Sequence, residues 1–211
     1  MKKILVLATC MVLLLAGVGQ ADTLQLGTNV TWINFVKNNN PTTLGGGSFD
    51  LARWNGAPLG FIYCVDLGHN ISLGATYGSA TATNDGFVNG ATIHNAGQVA
   101  WLLDNFGTGG NGAEAYALQA AIWHVIYDSP GHVYGLATSN SNWALYDSYL
   151  TALGSNEGNI SNYLWITPGG PNNHGIQGQV ARNPVPEPGT MILLGSGLVG
   201  LAGWGRKKFR K

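Results

Sequence analysis

Hydrophobic and polar positions divide the chain into alternating and helical stretches. Leu24 to Val36 alternates loosely (Leu24, Leu26, Val30, Trp32, Ile33, Phe35) and predicts one or two strands. Asn38-Asn39-Asn40-Pro41 and Gly45-Gly46-Gly47 read as loops. Ser48 to Trp54 and Leu59 to Leu67 flank Asn55-Gly56 and predict a hairpin whose second strand carries Phe61-Ile62-Tyr63-Cys64-Val65-Asp66-Leu67. On such a strand Phe61, Tyr63 and Val65 face one way, and Ile62, Cys64 and Asp66 the other. Ile71 to Gly90 is small, polar and glycine-rich, and reads as an irregular loop with short β pieces.

The pattern then changes period. Asn95 to Asp104 places Val99, Leu102 and Leu103 on one side of a helix. After the glycine-rich break from Asn105 to Gly112, Ala113 to Tyr127 predicts a second helix that stops before Ser129-Pro130-Gly131. Its apolar stripe is Ala115, Leu118, Ile122, Val125 and Ile126; Gln119 falls inside the stripe and His124 opposite it. Ser141 to Leu153 reads as a third helix with Trp143, Leu145, Tyr146, Tyr149, Leu150 and Leu153 as candidate buried positions. Strand character returns at Asn162 to Thr167 and Ile176 to Ala181. Strands, helices, then strands imply an α+β domain, a β sandwich or barrel with an inserted helical subdomain.

The two ends are of another kind. Met1 to Ala21 has Lys2 and Lys3, an apolar run from Ile4 to Val18, then Gly19-Gln20-Ala21, the order of a secretory signal peptide. At the other end Val185-Pro186-Glu187-Pro188-Gly189-Thr190 precedes a short apolar segment at 190–205, then Arg206-Lys207-Lys208-Phe209-Arg210-Lys211. The prolines make a stiff spacer, and the apolar run is shorter than the roughly 20 residues that span a bilayer comfortably. The basic end stays cytoplasmic by the positive-inside rule. The order of the three parts resembles the PEP-CTERM sorting signal of Gram-negative bacteria. That resemblance implies an exosortase-type processing enzyme as partner, an inner-membrane intermediate held by the C-terminal helix, and delivery to the cell surface or extracellular matrix. The chain so divides into a signal peptide (1–21), an extracellular domain (22–183) and a sorting signal (184–211).

Charge separates along the same boundaries. Between Asp22 and Glu187 lie all ten acidic residues but only Lys37, Arg53 and Arg182, a net of −7. An acidic exported region argues against nucleic-acid binding, which needs a basic surface. No Cys-x-x-Cys, His-Glu-x-x-His, phosphate-binding glycine motif or Gly-x-Ser-x-Gly is present, and the five histidines show no metal-ligand spacing. No metal or other cofactor is expected.

Cys10 lies in the leader, so Cys64 is the sole thiol of the exported chain and has no disulfide partner within it. It is either a small buried hydrophobe or a covalent reactant. Gln119, an amide on an apolar face, is either hydrogen-bonded to backbone or the acyl partner of the Cys64 sulfur. Tyr63-Cys64-Val65-Asp66 and Leu118-Gln119-Ala120-Ala121-Ile122-Trp123 resemble the two signature motifs of bacterial thioester domains, with Gln98 to Phe106 similar to a helix between them. The resemblance covers roughly Leu24 to Gln179. It implies a Cys64–Gln119 internal thioester, a surface adhesin rather than an enzyme, and an amine on a protein or amino sugar as the captured ligand. Asp66 is then a candidate for handling protons or a hydrogen-bonded surface carboxylate. Tyr63 and Trp123 are candidates for shielding the bond or plain core residues. The alternative is a non-covalent matrix- or carbohydrate-binding or structural biofilm protein with an inert Cys64. A cysteine hydrolase lacks a histidine in any recognisable context.

Overall fold

The computed structural model describes residues 22–184 and, apart from them, Ser196. The signal peptide, the Pro186-Glu187-Pro188 motif, the apolar segment at 190–205 and the basic end lie outside the described residues. Strands β1 (Asp22–Gln25), β2 (Thr31–Lys37), β3 (Asn40–Gly46), β4 (Arg53–Trp54), β5 (Ala57–Pro58), β6 (Ile62–Cys64), β7 (Thr76–Thr83), β8 (Phe87–Val88) and β9 (Ala91–Thr92) come first. Helices α1 (Ala96–Phe106) and α2 (Ala113–Tyr127), strand β10 (Tyr134–Gly135) and helix α3 (Trp143–Leu153) follow, then β11 (Tyr163–Thr167) and β12 (Gln179–Arg182). The class is α+β, with a curled antiparallel half-barrel of seven strands and three helices inserted between β9 and β11.

The strand order of the large sheet is β5-β4-β1-β7-β11-β12-β6. Its two outer strands, β5 and β6, are separated in sequence only by Leu59-Gly60-Phe61. A link that short spans at most about 14 Å. The opposite edges of a seven-stranded sheet must therefore approach each other, and the sheet must curl.

The curl also corrects the expected hairpin. Asn55 and Gly56 turn the chain at φ 51° and 80°, as a two-residue hairpin requires, but the turn joins only Arg53-Trp54 to Ala57-Pro58. Cys64 pairs instead with Gln179, Tyr63 with Val180 and Ile62 with Ala181. Three further expectations change. Asn38 and Asn39, at φ 49° and 65°, form a tight turn, and Asn40-Pro41 and Gly45-Gly46 belong to β3 rather than to loops. Pro41 is tolerated there because β3 is an outer strand of the three-stranded sheet β10-β2-β3. Thr76 to Thr83, expected to be irregular, is an eight-residue strand at the centre of the large sheet, held by β1 on one side and β11 on the other. Lastly, α2 is not one-sided. It is buried from Ala115 to Ile126 except at His124, because α1, α3, β2, β6 and β10 enclose it. Ala115, Ala117, Ala120 and Ala121 keep those approaches close, while Leu118, Ile122 and Trp123 supply the larger burial, about 1.5–3 kcal/mol each.

Candidate functional site

The site forms where α2 crosses the free edge of the large sheet. Strand β6 is an outer strand, so one side of its backbone has no strand partner among the described residues. Unpaired buried peptide groups are costly, and Gln119 supplies the missing partner. The Cys64 N–H donates to Gln119 Oε1 at 2.9 Å, and Gln119 Nε2 donates to the Cys64 carbonyl at 2.8 Å. The carboxamide thus occupies the place a peptide unit of a further strand would take. Cys64 and Gln119 are both fully buried.

The Cys64 side chain turns toward two residues that sequence reasoning missed. Its Sγ donates to Gln177 Oε1 at 3.2 Å and accepts from Gln179 Nε2 at 3.5 Å. Gln177 Nε2 is fixed on the Asp66 carbonyl at 2.8 Å, and Gln179 Nε2 also donates to the Gln177 carbonyl at 3.2 Å. Two carboxamides therefore hold the thiol, and a third holds the backbone of the same residue. The signal in the sequence was Gln177 and Gln179 two apart, on one face of a strand whose next residues are apolar.

Burial pushes the Cys64 thiol from its ordinary 9.0 up to about 12, against the Gln179 N–H, which favours the thiolate; the Asp66 charge adds to the rise. Cys64 is consequently a thiol throughout the neutral range. The Asp66 carboxylate accepts from the Gly68 N–H at 2.7 Å and from Asn89 Nδ2 at 2.8 Å, and meets His69 Nδ1 at 2.7 Å. Burial would raise its pKa, but the hydrogen bonds from His69, Gly68 and Asn89 outweigh it and hold the carboxyl below the usual range. None of its three partners is Cys64.

Tyr63 and Trp123 are fully buried beside the two central residues. The Tyr63 hydroxyl donates to the Thr108 carbonyl at 2.7 Å, and burial pushes its pKa up. Trp123 packs edge-on against Phe35 at 5.3 Å between ring centres, and its indole N–H has no partner among the described residues. Gly46 of β3 lies against both halves of this wall: a Cβ there would stand 2.7 Å from the Trp123 ring and 2.8 Å from Gln119 Cγ.

Among the described residues no group of three His, Cys, Asp or Glu side chains could hold a metal ion, and no helix is long and apolar enough to cross a membrane. Residues 184–207 match the family of the PEP-CTERM protein-sorting motif, a range that takes in Pro186, Glu187, Pro188, Arg206 and Lys207 and stops one short of Lys208. No thioester-domain family matches. No curated protein and no solved structure matches the chain.

Proposed function

We propose that this chain is an exported surface protein in which Cys64 and Gln119 condense to an internal thioester that captures amines. The PEP-CTERM motif points to an exported protein processed by an exosortase and held at the surface of a Gram-negative bacterium. In this reading the C-terminal apolar segment serves as a transient inner-membrane hold before the protein passes to the surface or matrix.

The observation that carries the thioester is the two-point seat of the Gln119 carboxamide on Cys64 itself. The Cys64 N–H already donates to the oxygen on which negative charge would develop, the electrostatic aid that acyl transfer needs. In the condensation the sulfur adds to the Gln119 carbonyl carbon, the C–N bond breaks, and ammonia leaves with the thiol proton. In capture an amine attacks the same carbon, the C–S bond breaks, and the thiol proton is restored while Gln119 becomes a substituted amide. The raised thiol pKa opposes the first step, and the Gln179 N–H on sulfur partly offsets it. In this reading Asp66 anchors the turn after β6, its own oxygens being engaged, and Trp123 and Tyr63 exclude water.

A second reading keeps Cys64 inert in a matrix-binding or structural protein. One observation favours it: the same two hydrogen bonds complete the edge of β6 without any covalent step.

Intact mass separates the readings. The purified domain should weigh one ammonia less than its sequence, and Cys64→Ala and Gln119→Ala should each abolish the deficit. A full-mass protein with one titratable thiol in denaturant would reject the thioester. Slow reaction of the native protein with thiol reagents does not discriminate, because a buried thiol of raised pKa also reacts slowly.

A further inference from the structure

A cleft of about 260 Å³ opens beside the site, walled by Trp32, Leu44, Phe49, Leu73, Trp123 and Gln177. Of the described residues bonded to the Cys64 sulfur, Gln177 also lines this cleft and Gln179 does not. Cys64, Gln119 and Gln179 are fully buried and take no part in its walls, whereas Gln177 keeps 8% of its surface. Gln177 is thus common to the contacts of the sulfur and to the lining of the cleft. Trp32 and Leu73 are exposed at 64% and 44%, so the cleft has apolar side chains that also face solvent. Trp123 contributes from within, bringing a buried donor without a partner among the described residues.

We propose that this cleft is the path by which an aliphatic primary amine reaches the Cys64–Gln119 bond, and that Gln177 is the positioning residue that closes the path until the amine arrives. The inference rests on the thioester reading for its chemistry but not for its geometry. The occupant follows from the walls. The cleft has a polar side, with Lys37, His69 and Asn70, and an apolar one, with Val30, Leu44 and Phe49, against which an alkyl stem can lie while its amine faces Gln177. The amine must also be uncharged to attack. The ammonium of Lys37 on the polar side, tied to the Leu67 carbonyl at 2.7 Å, disfavours a second positive charge and so favours the neutral form.

The test uses the full exported domain with Gln119→Ala, in which the thiol is free whether or not the wild type forms a bond. Iodoacetamide alkylation of native Cys64 is timed at one pH, alone and with Gln177→Ala or Gly45→Phe added. Gly45 lines the cleft, and a Cβ there meets nothing closer than 3.6 Å, so an aromatic ring can enter the space. Gln177→Ala should speed alkylation at least about tenfold and Gly45→Phe slow it by a similar factor, each rate being taken well below that variant's own melting point so that global unfolding does not contribute. Rates within about twofold of the parent in both variants would overturn the path. If Gln119→Ala does not fold, the series is run on the wild type, by alkylation where it has full mass and by aminolysis where it carries the deficit. In the latter case propylamine should react at least about tenfold faster than glucosamine at equal concentration of neutral amine. The reverse order would overturn the aliphatic occupant. Full mass in the wild type removes the thioester and leaves the alkylation series to decide the cleft.

Discussion

If Cys64 and Gln119 are joined as proposed, opening that bond should cost the domain a large part of its stability without changing a residue. The two residues are 55 apart in sequence, and a cross-link closing a loop of that length restrains the unfolded chain by about 4 kcal/mol. Methylamine opens a thioester and leaves Gln119 as a methylated amide beside a free thiol. Aminolysis also returns to Gln119 an amide N–H that the thioester lacks, and this can donate again to the Cys64 carbonyl. The loop figure is therefore an upper estimate. For a domain of this size it corresponds to a fall in melting temperature of roughly 8–16 °C. The assay is thermal unfolding before and after methylamine, with the mass gain of one methylamine followed in the same samples. Cys64→Ala, which cannot carry the bond, should be indifferent to methylamine. A gain in mass with an unmoved melting temperature would refute the loop argument. No gain in mass and no shift would refute the bond itself.

Further outcomes follow from the packing, the titration and the tail. Gly46→Ala should lower stability by about 1–3 kcal/mol in denaturant unfolding, because its methyl strikes both Trp123 and Gln119; an unaltered midpoint would mean that β3 yields freely. A raised thiol pKa stabilises fully below 9.0 and is lost as pH climbs toward about 12. Gln119→Ala should therefore lose roughly 1.4 kcal/mol more per pH unit above 9 than Gln119→Ala/Cys64→Ala, and parallel curves from pH 8 to 10.5 would contradict the burial of the thiol. Replacing Pro186, Glu187 and Pro188 by Ala in the full chain should abolish delivery to the surface, scored by protease accessibility on intact cells, and unchanged delivery would leave only a plain anchor.

Local signals and distant pairings were not equally legible. Helix α2 keeps the bounds its sequence suggests, Ala113–Tyr127, because helix formers run unbroken until Ser129-Pro130-Gly131. Gln119 stood out for the same reason, as an amide within an apolar run. Strand β7 was hidden because Thr76 to Thr83 has no large apolar residue apart from Tyr77. Its strand character comes from two neighbours, β1 and β11, that only the fold brings to it. Glycines 45 and 46 look like loop residues, yet Gly46 lies in β3 because Trp123 and Gln119 leave no room for a side chain. The partner of the Cys64 strand lies 115 residues on, beyond any local pattern, and with it the glutamines that hold the sulfur.

The position of β12 has a mechanical consequence. It ends at Arg182, two residues before the stretch that matches the sorting motif, and it is an interior strand gripped by β11 and β6. Tension on a protein tethered through its C-terminal side enters the domain through β12. Neighbours on both flanks must slide along β12 before it can leave, so the hydrogen bonds are loaded together rather than one after another. One of the two strands that share that load is the one that carries Cys64. A covalent tie from Cys64 to α2 would pass the pull from the rim of the sheet into the buried helix at the centre of the fold.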